Sequence, residues 1–135
     1  MNHVGVNRAC KGSEALTRGV RVRVRPFYVP EQSREDLATF VFGYRISIAN
    51  ESAARVRLVS RRWEIVDADG ERRVVEGQGV VGLQPVIEPG GVHEYSSFCA
   101  LATAWGTMEG VYRMESEGGA FEARVERFFL VAGEG

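Results

Sequence analysis

Apolar and polar positions alternate along most of the chain. From Val20 the alternation is strict, with Val20, Val22 and Val24 on one side and Arg21, Arg23 and Arg25 on the other. A period of two predicts a strand with one buried and one wetted face, and Pro26 ends it or marks an edge. Residues 29–38 hold Pro30, Gln32, Ser33 and several charges and read as a loop with at most one turn of helix. The strongest strand signal follows: Phe40, Phe42, Tyr44, Ile46 and Ile48 share one parity over residues 39–49, the mark of a core strand. Asn50-Glu51-Ser52 then reads as a turn.

Residues 55–67 alternate again, but Val56 and Leu58 are even while Trp63 and Ile65 are odd. A change of parity within one strand predicts a β-bulge or kink between Leu58 and Trp63. Asp69-Gly70 predicts a type I′ hairpin, which needs positive φ at both central residues, with a return strand at 71–76. Residues 77–91 read GQGVVGLQPVIEPGG, a long connection with a short strand at Val86–Ile87. Further strands are expected at 93–98, 108–115 and 121–131, the last two joined at Gly118-Gly119. Residues 1–18 lack a period and read as a flexible arm preceding a domain over 19–135. The pattern predicts an all-β fold, a sandwich of about seven strands of the immunoglobulin or fibronectin type III kind.

Composition adds little except glycine, 16 of 135 residues against a background of about 7%. Lys+Arg is 17 and Asp+Glu 18, a net charge of −1. That balance argues against nucleic acid as a partner, since basic excess supplies most of such affinity. No run approaches the ~20 apolar residues of a membrane span, and residues 1–18 do not resemble a signal peptide. Two distant cysteines, Cys10 and Cys99, fit a reducing cytoplasm better than a secreted disulfide scaffold.

Candidate chemistry is sparse. Gly77, Gly79 and Gly82 match G-x-G-x-x-G, but Pro85 and Pro89 follow at spacings that forbid the helix a dinucleotide fold needs. Two readings stay open: glycines demanded by a tight crossover, or a helix-free anion nest with charge from Arg61, Arg62, Arg72 or Arg73. Asp67-Ala68-Asp69-Gly70-Glu71 does not fit a calcium loop and reads as a hairpin. His3, His93, Cys10 and Cys99 lack metal-ligand spacing. Ser60, Ser96 and Ser97 have no sequence-level base, so no catalytic residue and no cofactor are expected. Trp63 reads as the core tryptophan of a sandwich, and Trp105 as an exposed contact in a loop. Tyr112 reads either as a corner tyrosine bonded to backbone or as a core tyrosine.

Several runs together resemble one family. They are Ser60-Arg61-Arg62-Trp63, Asp67-Ala68-Asp69-Gly70, Val75 through Pro85, Tyr95-Ser96-Ser97, Gly106-Thr107-Met108 and Gly110-Val111-Tyr112-Arg113-Met114, with Tyr28 through Ser33 and Phe42 through Asn50 upstream. From about residue 20 to 131 the chain resembles the ApaG family. The resemblance implies a fibronectin type III-like sandwich without a defined reaction. It also implies an indirect link to cobalt resistance and magnesium efflux (the family's other name is CorD), and the use of the domain as an interaction module in eukaryotic F-box and polymerase-δ-interacting proteins. A suggested pyrophosphate site would fall on Gly77, Gly79 and Gly82. The resulting expectation is a non-enzymatic module binding a protein partner through Trp105, Gln84 and Pro85. The alternative is a sensor of pyrophosphate or nucleotide polyphosphates at the glycine loop with Arg61 and Arg62. An exposed edge strand would also allow a homodimer.

Overall fold

The computed structural model describes residues 8–133. Among these residues, ten strands form two five-stranded antiparallel sheets. The first holds β1 (Arg8–Ala9), β2 (Ser13–Thr17), β3 (Val20–Tyr28), β4 (Phe40–Asn50) and β8 (Val92–Leu101). The second holds β5 (Val56–Asp67), β6 (Arg72–Gln78), β7 (Val86–Ile87), β9 (Trp105–Ser116) and β10 (Gly119–Val131). Seven of these are the long strands the alternation predicts, and β7 is the short strand expected at Val86–Ile87; β1 and β2 are additions. Among the described residues no helix is long and apolar enough to cross a membrane.

The core lies where the parities put it. Val20, Val22, Val24, Phe42, Tyr44, Ile46 and Ile48 are buried from one sheet. Val56, Leu58, Trp63, Ile65, Met108, Tyr112, Met114, Val125, Phe128 and Leu130 are buried from the other. Trp63 sits at the centre, with the rings of Tyr44, Phe128 and Tyr112 at 5.7, 5.9 and 6.0 Å, all edge-on. Such contacts add to the area the rings bury. Asn50, the one buried polar residue among those described, ends β4. Its amide donates to Ala54 O at 2.8 Å and Ile87 O at 2.9 Å, and its oxygen accepts from Ser52 N at 3.0 Å. The expected turn at Asn50 therefore also anchors β7.

The bulge inferred in β5 is present, as a register shift against β9 between Leu58 and Ser60. A second shift lies between Val125 and Phe128 of β10, where buried positions change from odd to even. Residues 30–32 and 35–37 make single 3-10 turns.

Four expectations need correction. Residues 8–18 are not a loose arm. β1 and β2 pair with β3, and the same segment is bonded to β10 by Phe129 N to Lys11 O (3.0 Å), Ser13 Oγ to Glu126 O (2.6 Å) and Arg124 N to Thr17 Oγ1 (3.1 Å). The sandwich thus includes residues 8–18 as well as those from 19 on; residues 1–7 lie outside the described residues. Pro26 does not end β3, which runs to Tyr28 with Pro26 O accepting from Cys10 N at 2.9 Å. Asp69-Gly70 is not a type I′ turn: Gly70 has φ +82 but Asp69 is not in the positive-φ region. Gly70 N donates to Asp67 O and Asp67 N to Glu71 O, both at 3.0 Å. Asp67 Oδ1 accepts from the amides of Asp69 and Glu71, an Asx arrangement that favours this wider loop. Trp105 opens β9 rather than lying in a loop.

The sandwich is sealed along one side, where β2 meets β10. On the other side β6 and β8 end their sheets without a further strand.

Candidate interaction site

The glycine-rich segment leaves β6 and folds back on the β5 bulge. The bulged residue presents Val59 O to Gly79 N at 2.8 Å and to Gln84 Nε2 at 2.9 Å. Leu58 N donates to Pro85 O at 3.0 Å. Val80 is buried and pins the base of the loop. Val80 N donates to Leu83 O at 2.7 Å and Leu83 N to Val80 O at 3.0 Å, closing a miniature hairpin. Its central residues, Val81 and Gly82, have φ +48 and +79. Two consecutive positive φ values make this the type I′ turn. A β-branched residue in that region is a backbone outlier.

The three glycines serve three different ends. Gly77 lies against the Arg61 guanidinium: a Cβ there would stand 2.8 Å from Nη1. Gly79 has φ +61 and its missing Cβ would overlap the Leu83 carbonyl, 2.8 Å from the carbon. Gly82 has open space around it and supplies positive φ alone.

Arg61 and Arg62 diverge, as neighbours on a strand must. Arg61 turns under the loop, donating from Nη1 to Gln78 O at 3.1 Å and Gly79 O at 2.9 Å. Arg62 points to the outer face and pairs with Glu76 at 3.1 Å. There a concavity of about 400 Å³ is lined by Ser60, Arg62, Glu76, Gln78 and Arg113 among others. The amides of Gly79, Val80 and Leu83 are engaged inside the fold; those of Val81 and Gly82 point from the tip without an acceptor among the described residues. The Gln84 amide and Pro85 carbonyl act as struts against β5.

The result is an apolar tip on a braced base, with Val81 63% and Leu83 57% exposed. Sequence reading does not pick out these two residues, because a glycine-rich motif draws attention to its glycines. The visible signal is two branched apolar residues in a segment with no partner face. Trp105 is exposed but belongs to a different surface. It lies eight residues along β9 from Arg113, which pairs with Ser60 beside the loop, or roughly 26 Å at strand rise.

A second polar cluster joins the two sheets near Arg61. The hydroxyls of Tyr95 (β8) and Tyr112 (β9) are hydrogen-bonded to each other, and Tyr44 is bonded to Ser97. Burial pushes all three phenols above the ordinary tyrosine range, offset in part by the nearby Arg61 charge. Tyr112 is thus a core tyrosine whose partner is a side chain, not a corner tyrosine bonded to backbone. Cys99 accepts a weak hydrogen bond from Arg73 Nη2 at 3.5 Å, and Cys10 and Cys99 are not joined in a disulfide. Among the described residues no three His, Cys, Asp or Glu side chains are grouped to hold a metal ion.

The chain is similar to known proteins in both sequence and fold. The ApaG domain model matches residues 30–116. Protein ApaG of Brucella abortus strain S19 is 48% identical over 117 residues, covering 86% of this chain and 90% of that protein. Protein ApaG of Anaeromyxobacter sp. strain K is 50% identical over 120 residues, covering 88% and 94%. A crystal structure described as an ApaA protein of Bordetella pertussis superposes with a TM-score of 0.83 at 39% identity, covering 86% of this chain and 95% of that one.

Proposed function

Since the chain belongs to the ApaG domain family, we propose that it acts as a non-enzymatic module binding a protein partner, with the Val80–Leu83 hairpin as its recognition element. One observation carries this reading. An exposed Val81 is held at φ +48, where an L-residue costs about 1–2 kcal/mol. Backbone strain kept at an exposed, rigidly braced tip is commonly a functional device. Val81 and Leu83 supply an apolar anchor, and the neighbouring groove with Ser60, Arg62, Gln78 and Arg113 supplies a polar rim, the anatomy of a protein interface. On this reading, any link to cobalt or magnesium handling resides in what the module binds. A cytoplasmic setting, where both thiols stay reduced, is part of the same proposal.

Val81→Asn is the test. Asparagine tolerates positive φ, so the variant should be more stable by about 1 kcal/mol while losing the apolar contact. Affinity purification from the native cell, followed by reconstitution with each purified candidate, reads the outcome. A partner that forms a stoichiometric complex with wild type and is lost from the stabilised variant supports the reading. Partners retained equally by both would overturn it.

A further inference from the structure

The outer face of the first sheet holds an arrangement independent of the hairpin. Its arginines are treated unequally. Arg21 is paired with Glu14 and Glu51, each at 2.6 Å, and Arg23 with Glu14 at 2.9 Å. Arg25 and Arg45 stand directly opposite each other across β3 and β4. Both are exposed, and among the described residues neither has a carboxylate in ion-pairing reach. Like charges facing each other on adjacent strands destabilise a sheet, so the bare pair is a liability for the fold alone.

The neighbouring row is aromatic. Gly43 of β4 lies between Phe27 of β3 and Phe98 of β8. Phe27 leans over the glycine: a Cβ at residue 43 would fall 2.5 Å from Cε2 of the ring. Phe98 is 57% exposed. Ala9, Arg25, Pro26, Phe27 and Arg45 surround a concavity of about 280 Å³. Two planar guanidinium groups side by side match a phosphate through paired N–H donors, and a phenyl face beside them can stack a heterocycle. Among the described residues of this face, the arginines outside the pair, Arg21 and Arg23, are met by Glu14 and Glu51. The next row carries Arg23, Ser47 and Glu94, with Glu14 on Arg23, so a single phosphate suits the face better than a polyanionic strand.

We propose that this face binds a small aromatic phosphate monoester of the nucleoside monophosphate class, with the phosphate between Arg25 and Arg45 and the ring against Phe27. The site needs neither the glycine hairpin nor the groove beside it. The unpaired arginines are then kept for the ligand at the expense of the sheet.

Amide-detected NMR titration at low salt tests this, with adenosine monophosphate, adenosine and inorganic phosphate as separate probes. The monophosphate should shift the amides of Arg25, Phe27, 43–45 and 96–98 in a saturable way, binding roughly tenfold or more tighter than either fragment. Arg25→Gln and Arg45→Gln should each weaken it by about tenfold or more while the melting temperature holds or rises, because a like-charge contact is removed. Val81→Asn should bind as wild type. No saturable shift, shifts centred on other strands, affinity equal to that of phosphate alone, or undiminished binding by both glutamine variants would each overturn the proposal.

Discussion

Replacing Gly79 by alanine separates a glycine needed for space from one needed only for backbone freedom. At φ +61 an alanine pays about 1 kcal/mol for conformation. Its Cβ would also overlap the Leu83 carbonyl, which is backbone and cannot rotate away. Relief requires parting Val80 from Leu83, breaking bonds of 2.7 and 3.0 Å. Each is worth about 1 kcal/mol net, so the total is about 3 kcal/mol. Gly82→Ala is the matched control: φ is +79 but nothing lies within 4 Å of the added carbon, so only the conformational cost of about 1 kcal/mol applies. The difference of about 2 kcal/mol is a factor of roughly 30 in the ratio of folded to unfolded chain. For a domain of this length it separates the two melting temperatures by about 6–10 °C. Urea denaturation followed through the buried Trp63, with thermal melts alongside, measures both variants. Equal destabilisation of the two, within about 0.5 kcal/mol, would refute the claim that backbone crowding dictates Gly79.

Two further outcomes concern the tyrosine cluster. Tyr95→Phe leaves the fully buried Tyr112 hydroxyl without its partner and should cost about 1–3 kcal/mol, while the double change to phenylalanine should cost less than the single one; a double-mutant cycle in urea reads the sign. The raised phenols of Tyr44, Tyr95 and Tyr112 are protonated in the fold at a pH where the unfolded chain ionises, near the ordinary value of 10.0. The folded state therefore holds more protons, and stability should be intact below about pH 10 and fall as pH climbs toward the folded values. Tyrosinate absorbance and circular dichroism followed together should show these phenols ionising only as the fold is lost; their ionisation in an intact fold near pH 10 would contradict this.

How far the fold is legible from residues depends on where each signal originates. Period-two alternation arises within one strand, so the long strands, the core of Trp63 and Tyr44, and the β5 bulge are all readable. The β10 bulge obeys the same parity rule between Val125 and Phe128. β2 is harder, because Ser13–Thr17 is only half-buried and its contacts with β10 rest largely on side-chain bonds to residues more than a hundred positions away. Turn type is misread for a related reason. Asp-Gly carries the type I′ propensity, yet the Asp67 carboxylate draws the loop into another form, while the paired Val80–Leu83 backbone bonds close a turn that Val81's side chain disfavours. At the candidate site, strand periodicity already implies that Arg61 and Arg62 diverge. The use of Gly77 to seat a guanidinium, and the meeting of Tyr95 with Tyr112, depend on how two sheets stack, which no local pattern encodes.

The one-sided sealing of the sandwich has a mechanical consequence. The seam between β2 and β10 is a spine, and the edge where β6 faces β8 is a fore-edge clasped by Arg73 of β6 reaching Ala100 O of β8 at 2.9 Å, with the Tyr95–Tyr112 hydroxyl pair joining β8 to β9 further in. A molecule built in this way should open like a book. Transient openings are expected to start at the fore-edge, so that in hydrogen exchange the amides of β6 trade their protons with solvent before those of β3 and β4, with β2 as the binding that returns the two covers to register.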